Sequence, residues 1–236
     1  FQSSVIDFDK DRSDRSTYKL LGGSIGFYGS TLNTRQYATK GYLEKLIAQV
    51  FTGRERFEPG NPQEGYSPSP QERQSWLQIS YMKEAYHTMG PKFTLGWMAE
   101  ALYSSKNFSE NYTATMMQAG EFAPTPHSKL MYNEAFRANQ YVAAGIKPIY
   151  VLNDMFQFRT EFYGFTPIFP IKKNALNKAY YGKAFSRFEY MGEVSVICQL
   201  PFGAISAYVN HYSSPRREWN VGMTIGWQLF NYRFVE

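Results

Sequence analysis

The chain has 236 residues, 18% of them aromatic, with a formal charge of +5 and a single cysteine, Cys198. No run approaches the ~20 apolar residues of a spanning helix, which excludes an α-helical membrane protein. One cysteine excludes an intrachain disulfide framework and an all-cysteine zinc site, and the +5 is too dispersed for a nucleic-acid stripe.

The first stretch, 1–17, is polar and reads as a loop or leader. Asp7, Asp9 and Asp11 have the spacing of the first ligands of a calcium loop. Arg12 stands where that loop needs Gly and Tyr18 where it needs a bidentate Glu, so a solvated loop is the better reading. Residues 18–236 read as one domain. Stretch 18–32 alternates loosely through Leu21, Ile25 and Phe27 among four glycines, as in a curved wall. Stretch 41–53 fits helical spacing through Leu43, Leu46, Ile47 and Val50 and strand spacing through Leu46, Ala48 and Val50. It is read as a strand because Gly41 and Gly53 bound it and its neighbours alternate. Stretch 54–75, rich in Pro, Gly, Ser and Gln, reads as a long loop. Stretches 76–86 and 92–105 read as a hairpin. The second is clean: Phe93, Leu95, Trp97, Ala99, Ala101 and Tyr103 point one way.

Residues 107–133 carry another candidate strand and then a Pro-rich segment, EFAPTPHSK. Strands are expected at 136–144, 147–162, 180–191, 193–200 and 203–212, with a tight turn at Met191-Gly192 and another at Pro201-Phe202. The terminal stretch is the most regular. Trp219, Val221, Met223, Ile225, Trp227 and Leu229 occupy one face; Asn220, Gly222, Thr224, Gly226 and Gln228 occupy the other. Trp219 and Trp227 are about 27 Å apart at ~3.4 Å per residue, close to the apolar height of an outer-membrane barrel strand. A barrel alternates lipid-facing with lumen-facing residues, which accommodates a mean hydropathy of −0.45. The predicted fold is all-β: an antiparallel transmembrane barrel, with about ten strands in this chain and no amphipathic helix. Such a chain must be exported, so a start at Phe1 without a signal peptide is read as a mature product or a fragment.

Catalytic motifs fail on context. Gly22-Gly23-Ser24-Ile25-Gly26 matches G-x-S-x-G, but Ser24 lies inside an alternating strand with no helix after it. The histidines at 87, 127 and 211 have no metal-ligand spacing, so no metal or cofactor is expected. Charged strand residues say more. Arg159, Glu161, Arg187 and Glu189 are costly in lipid and are expected to face the lumen.

Several segments resemble one family: LNTRQYATKG (32–41), TGRERFEPG (52–60), NYTATMMQAGEFAPTPHSK (111–129), NEAFRANQYVAAGIKPIY (133–150) and ISAYVNHYSSPRREWNVGMTIGWQLF (205–230). They are similar to the C-terminal barrel of Bacteroidetes patatin-like phospholipases, an Omp85-type, surface-antigen-like fold. The resemblance implies that a patatin hydrolase domain and a POTRA-type domain precede the barrel, and that the Ser–Asp dyad lies N-terminal to Phe1. It implies no catalytic residue here. Omp85-type barrels usually have sixteen strands, so this chain would be the later part of one. Those barrels carry an inward loop with a V-R-G-F/Y motif. Here Phe136-Arg137-Ala138-Asn139 keeps the Arg and loses the Gly, so only Arg137 carries over. Arg137 is expected to point inward and pair with Glu161 or Glu189, holding 120–135 in the lumen.

The sequence reading is thus a bacterial outer-membrane barrel, not itself an enzyme, that anchors or translocates a patatin-like phospholipase domain. Its expected partners are outer-membrane lipids, its own hydrolase and POTRA region and the barrel-assembly machinery, with no nucleic acid. The rival readings are an Omp85-type surface antigen or assembly barrel without a hydrolase, a porin-like channel, and a soluble lipocalin-like barrel.

Overall fold

The structure is a computed structural model and describes residues 15–60, 73–201, 203–214 and 219–227. The calcium-like Asp7, Asp9 and Asp11, with Gln228 and Leu229, lie outside the described residues. Nine long strands dominate: β1 (Arg15–Ser30), β2 (Gly41–Glu58), β3 (Arg73–Thr88), β4 (Phe93–Ser104), β7 (Gln140–Val151), β8 (Phe156–Pro167), β11 (Glu189–Leu200), β12 (Gly203–Tyr212) and β13 (Trp219–Trp227). They form one antiparallel meander in that order, each pairing with the next. Between β4 and β7 an insertion (105–139) carries α1 (Tyr112–Gln118) and a two-stranded ladder of β5 (Gly120–Glu121) and β6 (Arg137–Ala138). Between β8 and β11 a second small ladder pairs β9 (Ile171–Lys173) with β10 (Ala179–Tyr181).

The sheet is rolled. In a flat sheet β2 and β12 would be six strand spacings apart, about 29 Å at ~4.8 Å each. Tyr37, in the loop between β1 and β2, is four residues from Gly41 and so within about 14 Å of β2 along the chain. Its hydroxyl nevertheless donates to Ser206 Oγ on β12 at 2.8 Å. Only a strongly curved sheet lets a tyrosine side chain cover the difference. The roll does not close: among the described residues β1 and β13 do not pair, so the expected barrel is an open sheet here.

Curvature divides the two faces. Loop 31–40 and insertion 105–139 cover the inner face. Phe122, Ala135 and Phe136 of the insertion pack on Met98, Leu102, Tyr141, Tyr163, Phe165, Met191 and Tyr212 of the wall. Fully burying one such phenylalanine contributes roughly 1.5–3 kcal/mol. The outer face is bare. Ile25 is 78% exposed, Val221 80% and Met223 68%. Register keeps the face continuous, with Ile25 opposite Ala48, Ile146 opposite Phe162, Phe158 opposite Val196 and Val209 opposite Val221. Trp219, Val221, Met223 and Ile225 lie on this outer face as expected, and Trp227 shares their register position opposite Gly203.

Several boundaries differ from the sequence reading. Expected strands 136–144 and 147–162 are one hairpin whose turn lies at 152–155, where Asn153 Oδ1 accepts from the Met155 and Phe156 amides. The expected turn at Met191-Gly192 does not exist; β11 runs unbroken from Glu189. Within 107–133 the candidate strand is replaced by α1, which starts because Asn111 Oδ1 caps the Ala114 amide at 2.7 Å. The leader boundary also moves, since β1 already begins at Arg15.

Four inner-face glycines sit directly opposite an aromatic ring: Gly22 with Phe51, Gly96 with Tyr86, Gly145 with Tyr163, and Gly222 with Tyr208. In each pair the ring folds over the glycine and fills the space a Cβ would take. The aromatic restores the contact the glycine lacks, while the glycine leaves room for the wall to curve. Gly145→Ala should therefore destabilise the fold by about 1–3 kcal/mol, as overpacking does. Gly23→Ala, whose Cβ would meet nothing within 4 Å, should be near neutral; urea unfolding of the two variants checks the contrast.

Candidate functional site: an ionic network under two inserted loops

The inner-face positions of β3, β7, β8 and β11 carry Glu84, Lys147, Arg159, Glu161 and Glu193. Strand alternation places all five on the covered side. Glu161 and Glu193 are directly opposite each other, an arrangement that is destabilising unless cations intervene. Arg159 supplies one. Its Nε and Nη2 reach Glu161 Oε1 at 3.0 and 2.9 Å. Its Nη1 donates to the Ala38 carbonyl at 2.9 Å and to Gln157 Oε1 at 3.2 Å, and its Nη2 to the Tyr86 hydroxyl at 3.5 Å. The Tyr163 hydroxyl completes Glu161 at 2.6 Å. Lys147 pairs with Glu84 at 2.8 Å, and its ammonium lies within 6 Å of the Tyr86 and Tyr163 ring centres.

His127 is the hydrogen-bond partner of Glu193. It comes from the insertion, is 1% exposed, and places Nδ1 2.9 Å from Glu193 Oε1. Its Nε2 lies 3.3 Å from Ser206 Oγ, and its ring stacks on Tyr208. Burial pushes the Tyr37 phenol above its usual value, so it stays protonated and remains the donor to Ser206.

Arg137 does not pair with Glu161 or Glu189. Those acids are taken by Arg159 and by Arg187, the latter with Nε 2.7 Å from Glu189 Oε1. Arg137 instead bonds Glu121 at 2.5 Å, its direct partner across the β5–β6 ladder. It also donates to the carbonyls of Met117 and Ala119 at the end of α1, at 3.2 and 3.3 Å. A cation at a helix C-terminus satisfies carbonyls that have no helical donor. Arg137 thus braces the insertion internally, and the contacts of Phe122, His127 and Phe136 seat it on the wall. Where the insertion leaves β4, Lys106 lies over the Tyr18 and Trp76 rings, and burial pulls its ammonium down to about 8.

Ser206, His127 and Glu193 stand in the order nucleophile, base and acid. Ser206 is 1% exposed, however, and its oxygen already accepts from Tyr37, so the trio serves as a joint between elements. Ser24, the serine of the G-x-S-x-G match, lies within β1 opposite Gln49, as its alternation requires. Among the described residues no group of three metal-ligating side chains converges.

Arg159→Met should cost about 3–5 kcal/mol, because Glu161 would be left buried and uncompensated. Arg187→Met should cost at most about 1 kcal/mol, since Arg187 is 31% exposed; denaturant titration separates the two. A fluorophosphonate probe should leave Ser206 unlabelled in the folded protein, read by peptide mass spectrometry. Because Lys106 is held below its unfolded value, its charged form weakens the fold. Stability should therefore rise with pH through about 8 towards the free-lysine value. Lys106→Met should remove that slope, as read from melting temperatures between pH 7 and 10.

No protein-family model, no curated protein and no solved structure matches the chain.

Proposed function

We propose that the chain is part of a bacterial outer-membrane β-barrel, the domain that anchors or translocates a patatin-like hydrolase domain. The observation that carries this reading is the bare outer face. A monomeric soluble protein rarely exposes contiguous apolar patches beyond a few hundred Å², whereas here the apolar face runs across the whole nine-strand sheet. Aromatic residues lie towards both ends of this face, with Trp97 and Phe162 in register with Ile146 between them. Phe93, Tyr150 and Phe156 lie near one end of the strands, and Tyr103, Tyr190 and Trp219 near the other, with Val142, Ile146, Val194 and Val209 between. Aromatic girdles flanking an apolar band are the signature of an outer-membrane barrel.

The connections support the same orientation. At one end they are 31–40, 89–92, 152–155 and 201–202; at the other they are 59–72, 105–139, 168–188 and 213–218. Apart from the ten-residue loop 31–40, the first set have four residues or fewer, while 105–139 and 168–188 at the other end are long, as periplasmic turns and extracellular loops would be. Lys83 and Glu44, 3.5 Å apart, are the ion pair within the outer band of β2 and β3. They neutralise each other three residues inside β2, in register with Ala99 of β4. A porin-like channel fits less well, because Phe122, His127 and Phe136 fill the inner face. The open edges of β1 and β13 leave backbone donors and acceptors that lipid cannot satisfy, so further strands would complete the wall. In this reading the partners are outer-membrane lipids, the barrel-assembly machinery and the protein's own hydrolase and POTRA region.

Met223→Arg, on the outer face, should cost about 2–4 kcal/mol and reduce insertion into lipid vesicles, whereas Thr224→Arg, on the inner face, should be tolerated. Equal loss at the two neighbouring positions, read by heat-modifiable gel mobility and protease protection, would count against the membrane reading.

A further inference from the structure

Loop 31–40 enters the inner face from the short-turn end and the insertion enters from the long-loop end. They meet at one place. With His127 Nδ1–H donating to Glu193, Nε2 is left as an acceptor, and the hydrogen bonds run in one direction: Tyr37 O–H to Ser206 Oγ, Ser206 O–H to His127 Nε2, His127 to Glu193. The Tyr37 oxygen also lies 3.5 Å from His127 Nε2. Loop, wall and insertion therefore share one continuous chain of buried groups.

We infer that the two inserted segments are a single interlocked gate over the inner face, with Tyr37, Ser206 and His127 as its joint. Three further observations support it. Tyr37 is held in the left-handed backbone region at φ 57°, strain that persists only where surrounding contacts enforce it. Those contacts are on the wall: Gln157 Nε2 donates to the Tyr37 carbonyl at 3.1 Å and Arg159 to that of Ala38. Finally, the loop borders a cavity of about 470 Å³ together with Lys92, Asp154 and Gln199. The Thr34 hydroxyl and the Gln199 side-chain oxygen, both from residues lining it, have no hydrogen-bond partner. The loop thus has room beside it.

Interlocking has a definite consequence. If the loop lifts alone Ser206 loses the bond from Tyr37, and if the insertion lifts alone Ser206 and Glu193 lose His127, so either partial opening gives up buried hydrogen bonds. The two should open together, and any polypeptide or solute moving along the inner face must displace both. The use of such a gate rests on the membrane reading, but the interlock itself is a property of the fold and is tested without it.

The test is hydrogen exchange of the refolded protein in detergent micelles, read by mass spectrometry for peptides covering 31–40 and 122–136. Tyr37→Phe keeps the ring and removes only the donor. It should speed exchange about five- to tenfold in both segments, the effect of one lost buried hydrogen bond. Asn33→Ala is the control. Asn33 Oδ1 holds only its own loop, accepting from the Thr39 and Lys40 amides, and this variant should speed exchange in 31–40 by more than in 122–136. Faster exchange confined to 31–40 in Tyr37→Phe, or none in either segment, would overturn the interlock. Failure of the Met223→Arg and Thr224→Arg contrast would overturn the membrane reading and leave the interlock standing.

Discussion

A guanidinium sealed from solvent must find an acceptor for each of its five N–H groups, and the inner face is arranged so that Arg159 does. Glu161 takes two, and Ala38, Gln157 and Tyr86 take one each. That one requirement ties together parts of the chain that are far apart. Glu161 and Gln157 are on its own strand, Tyr86 is on β3, and Ala38 belongs to a loop that must fold inward to present its carbonyl. Without Arg159 two facing carboxylates on β8 and β11 would repel, and loop 31–40 would lose its main tie to the wall. The network acts as a fastener for the inserted loops more than as a source of net stability, since buried ion pairs return little beyond their desolvation cost.

The outer face follows a different rule. There most apolar side chains lie exposed, and the alternation that buries Arg159 turns Phe158 and Thr160 outward. An ionic network within and a bare apolar surface without invert the usual arrangement of a soluble domain. The four glycine–aromatic pairs let the wall curve tightly enough for this to happen. Curvature brings the loop between β1 and β2 under β12 and β13, so the inner space is narrow enough for two short segments to fill it.

Much of the fold was legible because a strand's period of two is read directly from residue type. The strands through 92–105, 203–212 and 219–227 stand out for that reason. The hairpin of β7 and β8 did not, and parity explains why. Paired residues across it, such as Tyr150 and Phe158, are both even-numbered, so the outward set continues in phase through the turn and resembles one long strand. Across β11 and β12 the outward set changes from even to odd, as Val194 faces Val209, and that turn was visible. Gly192, small and outward-facing, imitated a break where none exists. Helix α1 has only seven residues, too few for a helical period to emerge, and its signal was the Asn111 cap alone. Of the candidate site, the inward position of Arg159, Glu161 and Glu189 followed from alternation. The partner of Arg137 did not, because Glu121 and Arg137 meet through a two-residue ladder within an irregular insertion. The joint of Tyr37, His127 and Ser206 joins residues 90 and 169 positions apart in sequence, and only the rolled sheet brings them together.

On the membrane reading the bare face meets lipid acyl chains while the opposite face does not. Tryptophan placement tests it most directly, since Trp219 and Trp97 point outward and Trp76 is buried on the inner side beneath Lys106. Single-tryptophan versions of the protein, reconstituted in vesicles of acyl-brominated phospholipid, should show strong fluorescence quenching for Trp97 and Trp219 and little for Trp76. Equal quenching of all three, or none at Trp97 and Trp219 in protein that retains its β-sheet circular dichroism, would contradict the account.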